Sequence, residues 1–260
     1  VFGSAIAAGI KDHGVDLAYI YVPSAVATAG VFTQHKFSAS SVTYTKKCLK
    51  HSNLKAIIIN SGNANAVTGL QGIKDTKKIA KIAAKKLDLE SNQIGIAATG
   101  IIGKALPMDA IESGLETLLE KKEQKQANLV AKAILTTDLV EKVTYVEKKI
   151  GKKTITVAGI TKGSGMIAPN MATMLGFLVT NVSVSKDVLQ RCLINATNVS
   201  YNMISVDTDT STNDMFMCFA TGQYKINQAD KQELNAFQQA LNEASINLAK
   251  QIVQDGEGAK

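Results

Sequence analysis

The chain has 260 residues, 45% hydrophobic and 20% charged, with a net charge of +7, the composition of an ordinary globular protein able to bury one large core or two smaller ones. No apolar run reaches the roughly 18 residues needed to cross a bilayer, and the first ten residues lack the basic start and apolar stretch of a secretory signal. Arg191 is the single arginine among 29 cations, aromatics make up 5% and Trp is absent, so the composition argues against a nucleic-acid partner and for a lysine-rich solvated surface that mildly favours anionic small substrates.

The chain opens at Val1 rather than Met, which suggests residues upstream. Leu17–Val22 has strand composition, with Pro23 and Ser24 as a turn after it. Ala56–Asn60 is a continuous apolar strand of the buried kind, ending in a Gly/Asn-rich loop from Ser61 to Asn65. A helix follows from about Asp75, carrying Ile79, Ile82, Ala83 and Leu87 at helical spacing, and Ile94–Ala98 is a second buried strand. Strand, helix, strand in that order predicts a βαβ unit, whose strand-end loops are the usual place for a site; the Asn60 and Thr99 loops fall at such ends. Pro107 opens a helix with Ile111, Leu115 and Leu118 as its stripe, and Gln124–Leu135 continues in helical style. Alternating β-branched residues from Lys142 to Ile160 predict a hairpin leading into Lys162, and Met174–Thr180 is a short buried strand. Ser185 can cap a helix bearing Val188, Leu189, Cys192 and Leu193. The last helix runs from about Asp230, with Leu234, Phe237, Leu241, Leu248 and Ile252 on one face, and is expected to stop at Gly256.

Few residues point to chemistry by spacing alone. Cys48, Cys192 and Cys218 are odd in number and far apart, which reads as reduced thiols of a cytoplasmic protein. His13, His35 and His51 are dispersed and form neither a triad nor a zinc pattern. Gly100-Ile-Ile-Gly103-Lys104 imitates a phosphate loop but has Ala98 and Ala105 where that loop needs glycine and a hydroxyl. Asp207, Asp209 and Asp214 lack the glycine and distal glutamate of a calcium loop, so no metal is expected there. The run Lys162-Gly-Ser-Gly-Met-Ile-Ala-Pro-Asn-Met-Ala172-Thr173-Met-Leu175 stands out, because a threonine becomes a nucleophile when a base takes its proton, and cutting the chain before it frees its own α-amine for that work. Taken alone the run is also readable as a loop leading into a buried strand.

Its company narrows the choice. The 162–175 run closely resembles the autocleavage segment of the ornithine acetyltransferase family, the glutamate N-acetyltransferases of arginine biosynthesis. Ala29-Gly-Val-Phe-Thr33, Asn60-Ser-Gly-Asn-Ala-Asn-Ala-Val-Thr-Gly69, Ala98-Thr-Gly-Ile-Ile-Gly103, Asp207-Thr-Asp-Thr-Ser-Thr-Asn-Asp214 and Asp255-Gly-Glu-Gly-Ala259 resemble the same family in the same order, so the resemblance covers essentially the whole chain.

The resemblance implies an α+β fold, a layered α/β sandwich of the ornithine acetyltransferase and self-cleaving aminopeptidase type with a βαβ subdomain near the N-terminus. It implies cleavage between Ala172 and Thr173, with residues 1–172 as an α chain and 173–260 as the N-terminal part of a β chain, intertwined and paired into a heterotetramer. Thr173 would be the nucleophile and Thr99 with Gly100 the oxyanion hole. Thr136, Lys162, Thr173 and Glu257 would bind substrate, with Thr137 a one-residue alternative to Thr136. The substrates implied are N-acetylornithine, glutamate and ornithine, with acetyl-CoA a further donor in some members and neither a cofactor nor a metal required. Val67, Thr208 and Leu139 depart from the family pattern. Family members also continue well past the position of Lys260, which reads as a fragment or a truncated protein. Two other readings stay open: a self-cleaved aminopeptidase or amidase of related fold, and a non-enzymatic binding module.

Overall fold

A computed structural model of the chain describes residues 1–151, 153–168, 174–207 and 209–258. They form two compact units, one of residues 1–23 and 34–136, the other of residues 24–33 and 137–260. This is a different division from 1–172 and 173–260, which concerns chain products.

The first unit contains β1 (Phe2–Ile6), β2 (Leu17–Tyr21), β4 (Ala56–Asn63) and β5 (Ile94–Ile101) in one four-stranded sheet, in the order β1-β2-β4-β5, with β3 (Ala27–Phe32) lying in the second unit. Its helices are α1 (Ser40–His51), α2 (Gly69–Leu87), α3 (Met108–Leu118) and α4 (Ala127–Ala133). β4, α2 and β5 form the expected βαβ unit, since β4 and β5 pair in parallel. Period-2 alternation puts Leu17, Tyr19 and Tyr21 on one face of β2, where they join Ile58 and Ile96 in a core with Ile79, Ala83 and Leu87 of α2 and Ile111, Leu115 and Leu118 of α3.

α2 begins at Gly69, earlier than its apolar stripe suggests. Gly72 looks like a breaker in sequence, yet a Cβ there would fall 1.9 Å from Thr68 Oγ1 and 2.4 Å from Asn65 Oδ1, so close packing in the first turn selects the glycine. Pro107 precedes the first turn of α3 instead of lying within it, and α4 is shorter at both ends than the helical stretch expected from Gln124 to Leu135.

The second unit is a five-stranded sheet in the order β3-β9-β8-β7-β6, built from β6 (Lys142–Ile150), β7 (Lys153–Lys162), β8 (Leu175–Ser183) and β9 (Met215–Lys225) together with β3. β6 and β7 make the expected hairpin, and β8 is the expected buried strand. Helices α5 (Lys186–Asn198) and α6 (Lys231–Gln254) supply Leu189, Leu193, Phe237, Leu241, Leu248 and Ile252 to a core shared with Val157, Leu178, Phe216 and Cys218 of the sheet. Ser185 caps α5 by accepting the Val188 N–H, and Asp230 caps α6 by accepting those of Gln232 and Glu233. α6 ends at Gln254 with Asp255 as its cap, and Gly256 does not take the left-handed conformation that a glycine stop implies. Both sheet edges meet a glutamine side chain. Gln190 exchanges two hydrogen bonds with Gly30 of β3, and Gln251 does the same with Val143 of β6, which satisfies edge groups that would otherwise invite another strand.

Candidate active site

In the first unit, Thr99 and Gly100 lie within the last residues of β5, not in a loop after it. Pairing extends this far because the Asn-rich segment bends to follow it. Asn60 Nδ2 donates to Asn63 O, Asn63 Nδ2 donates to the carbonyls of Lys104 and Ala105, and Ala64 N–H donates to Ile101 O. The β4–β5 register shifts at Gly62 and Asn63. Gly100 has φ +128, and a Cβ on it would fall 2.4 Å from the Gly62 carbonyl carbon and 2.5 Å from Asn63 N. Both torsion and space therefore demand glycine, and the asparagines that looked like a loop are what hold the backbone at that approach. Thr136, also of this unit, is exposed.

In the second unit the chain converges on Lys162, the last residue of β7. The β7–β8 ladder sets Lys162 directly opposite Leu175. Residues 169–173 lie outside the described residues, so the expectations for Ala172 and Thr173 do too, as does that for Thr208. On the C-terminal side of Thr173, Met174 N–H donates to Asp214 Oδ1 at 3.0 Å, Met174 O accepts from Met215 N–H at 3.1 Å, and Leu175 O accepts from Thr161 Oγ1 at 2.9 Å. On the N-terminal side, Ile167 enters the core, and its N–H and that of Met166 both donate to the Asp207 carboxylate.

Lys162 is 3% exposed, and its ammonium lies 3.7 Å from Asp138 Oδ2. Burial pushes Lys162 below the usual lysine range; Asp138 opposes this, the neighbouring Lys142 charge adds to it, and Asp214 opposes it again. Asp138 is held below the usual carboxylate range. Burial alone would raise it, but the Lys162 charge and the hydrogen bonds from Lys142 and Gly163 outweigh that. Glu257 N–H donates to Ser164 O at 2.8 Å, and a Cβ on Gly165 would fall 2.7 Å from the Glu257 carboxyl carbon, so the Glu257 carboxylate lies over the Gly163–Gly165 turn. Thr137 Oγ1 lies 2.8 Å from Ser164 Oγ, which brings Thr137, the alternative to Thr136, to the same turn.

Lys162, Glu257, Thr137 and the residue after Thr173 are thus brought together in this unit. Spacing along the chain missed the buried Lys142 and the two acids that accept from its ammonium, Asp138 and Asp255. Their one available signal was a lysine opening a strand four residues after an aspartate. Asp207 and Asp214, two of the three aspartates in the polar run, each accept backbone amides.

The ArgJ family model matches residues 3–260. The chain belongs to the ArgJ family. A relative named arginine biosynthesis bifunctional protein ArgJ, from Oceanobacillus iheyensis, is 41% identical over 261 residues, which are 99% of this chain and 64% of that protein. One of the same name from Bacillus cereus is 42% identical over 260 residues, 99% of this chain and 63% of that protein. This ArgJ-family chain therefore spans less than two thirds of the length of those relatives.

Among solved structures, an arginine biosynthesis bifunctional protein from Bacillus halodurans superposes with a TM-score of 0.57 at 36% identity, over 65% of this chain and 90% of that one. The ornithine acetyltransferase of Mycobacterium tuberculosis, solved in complex with ornithine, gives 0.57 at 31%, over 66% of this chain and 91% of that one. An L-aminopeptidase D-Ala-esterase/amidase from Ochrobactrum anthropi, described as a variant among the Ntn hydrolase fold, gives 0.52 at 9% identity over 94% of this chain. That last likeness shows the fold alone, and it agrees with the mixed, layered α+β architecture expected from the sequence.

Proposed function

We propose that this chain carries the acetyl-transferring centre of an N-terminal-nucleophile enzyme that moves an acetyl group from N2-acetylornithine to glutamate. Hydrolysis of the Ala172–Thr173 peptide bond frees the Thr173 α-amine, which takes the proton of its own hydroxyl. The oxygen attacks the acetyl carbonyl, and the tetrahedral oxyanion is stabilised by the backbone N–H groups of Thr99 and Gly100. Ornithine leaves with a proton on its nitrogen, and an acetyl ester remains on Thr173. The glutamate amine then attacks that ester, N-acetylglutamate leaves, and Thr173 recovers its proton. Lys162 offers its charge to the substrate carboxylate and Glu257 its carboxylate to an amine, with the hydroxyl of Thr136 or Thr137 beside them.

The observation that carries this reading is the β7–β8 ladder, which sets Leu175, two residues after Thr173, across from Lys162 while Glu257 is tied to Ser164. The solved family chains add support, since about nine-tenths of each matches about two thirds of this one; they are shorter polypeptides, as a cut precursor would give. The reading includes assembly of the two products into a heterotetramer and residence in the cytoplasm. Among the described residues no helix is long and apolar enough to cross a membrane, and the three cysteines are free and buried.

The test is denaturing intact-mass analysis of the complete gene product beside Thr173→Ala, before and after exposure to N2-acetylornithine. Two fragments divided at Ala172/Thr173, an acetyl increment on the second, and an uncut variant are expected. A folded wild type with one uncut, unacylated mass sinks the proposal. Glutamate and a peptide amide offered in turn as acceptor and substrate separate acetyl transfer from an amidase, and acetyl-CoA in place of acetylornithine shows whether it serves as a donor.

A further inference from the structure

Lys142 opens β6 with its side chain fully buried, and its ammonium meets three acceptors. Asp138 Oδ1 is 2.8 Å away, Asp255 Oδ2 2.5 Å and Val140 O 3.3 Å, so every N–H of the ammonium has a partner. Each carboxylate it holds goes on to grip a different part of the proposed site. Asp138 Oδ1 also accepts the Gly163 N–H at 2.6 Å, and Asp138 Oδ2 lies 3.7 Å from Lys162. Asp255 Oδ2 also accepts the Leu139 N–H at 3.0 Å, and it stands two residues before Glu257, whose own N–H returns to Ser164 O. A buried cation on a strand end therefore joins the segment that presents Lys162 to the segment that presents Glu257.

We propose that Lys142 is a positioning residue for substrate binding, holding Asp138 and Asp255 so that Lys162 and Glu257 are kept at the spacing of an amino acid's carboxylate and amine. The inference rests on the acetyltransferase reading of the same site. Stability alone gives little reason for such a cluster, because well-packed apolar side chains often replace buried ion pairs at no loss, whereas removing one partner strands the other. Geometry does give a reason. Asp138 is shared by the two lysines, and Lys142 holds its Oδ1 towards β6 while its Oδ2 faces Lys162.

The test uses the complete gene product with N2-acetylornithine and glutamate as probes. Lys142→Met leaves two buried carboxylates and can fail to fold. The charge-balanced double variant Lys142→Met/Asp255→Asn keeps the Asp138 and Lys162 pair and carries the experiment in that case. Either folded variant should raise KM for both substrates about tenfold with kcat within about threefold, as expected when an interaction common to ground and transition states is lost. Lys142→Arg should restore KM to within about threefold of wild type. A structural role would lower the thermal midpoint and leave KM of the folded enzyme unchanged, and that result, alongside normal wild-type turnover, overturns the inference alone. A wild type that neither cuts itself nor turns over either substrate overturns the acetyltransferase reading and the inference with it.

Discussion

Asp214 shows what a single residue does at this site. Its Oδ1 receives the Met174 N–H, while its buried Oδ2 has no hydrogen-bond partner among the described residues. Burial pushes the carboxyl well above its usual range, and the Met174 N–H, Ser211 and the Lys162 charge recover only part of that. A carboxyl raised in the folded state favours the protonated form there. Its contribution to stability is complete below the unfolded value near 3.8 and is lost as pH rises through the folded value. Asp214→Asn keeps an acceptor for Met174 and cannot ionise. The stability of wild type relative to this variant should therefore fall as pH rises from about 4 towards neutrality. Denaturant midpoints of both proteins across that range give the answer, and a difference that does not change with pH would rule out a raised Asp214. None of this was legible in the sequence, where Asp214 was one of three aspartates in a polar run. Gly100 was legible only through the family resemblance, since its φ and its contact with Gly62 depend on a neighbouring strand far back in the chain.

At the scale of elements, periodicity revealed what burial on one face imposes. β2, β4, β5, α2, α3, the β6–β7 hairpin, β8, α5 and α6 all followed from apolar spacing and turn residues. β1, β3, α1 and β9 did not. β3 reads Ala-Thr-Ala-Gly-Val-Phe, too small-sided to declare a strand, and it becomes one by pairing with β9 far along the chain. The turn after β7 is a third kind of case, held from outside by an acid. Asp207 accepts from Met166 N–H at 2.5 Å and Ile167 N–H at 2.7 Å, while Val206 N–H returns to Ile167 O at 2.9 Å. Met166 takes a left-handed φ of 59, a conformation uncommon for a non-glycine residue, and the two bonds to Asp207 help to hold it there. Asp207→Ala removes two charge-assisted bonds and should cost about 2 kcal/mol. Asp209→Ala, at an exposed neighbour, should stay within about 0.5 kcal/mol. Equal effects in chemical denaturation would mean that the acidic run acts as one cluster and not through the Asp207 latch.

For the whole molecule, the decisive feature is how the chain order maps onto the five-stranded sheet. β3, β6 and β7 precede residue 172, and β8 and β9 follow residue 173, yet the spatial order is β3-β9-β8-β7-β6. A cut between them would leave one sheet made of two polypeptides. The later pair is flanked on both sides by earlier strands, through the Ala27–Ala220 to Phe32–Met215 ladder and the Val157–Thr180 to Lys162–Leu175 ladder. The core is shared in the same way, with Ala29, Ile155 and Val157 from one piece packed among Leu178, Phe216, Leu241 and Leu248 from the other. Parted from residues 1–172, β8 and β9 would lose the strands on both sides of them and the Ala29, Ile155 and Val157 share of the core that α5 and α6 also line, leaving bare edges and exposed apolar surface. The two products should therefore co-elute in native size-exclusion chromatography at any salt and separate only in about 6 M guanidinium. Mixing them after separate denaturation should restore the complex only when both are present during refolding. Products that part in native buffer, each still folded, would show that neither piece needs the other's strands and would overturn the shared sheet as the bond between them.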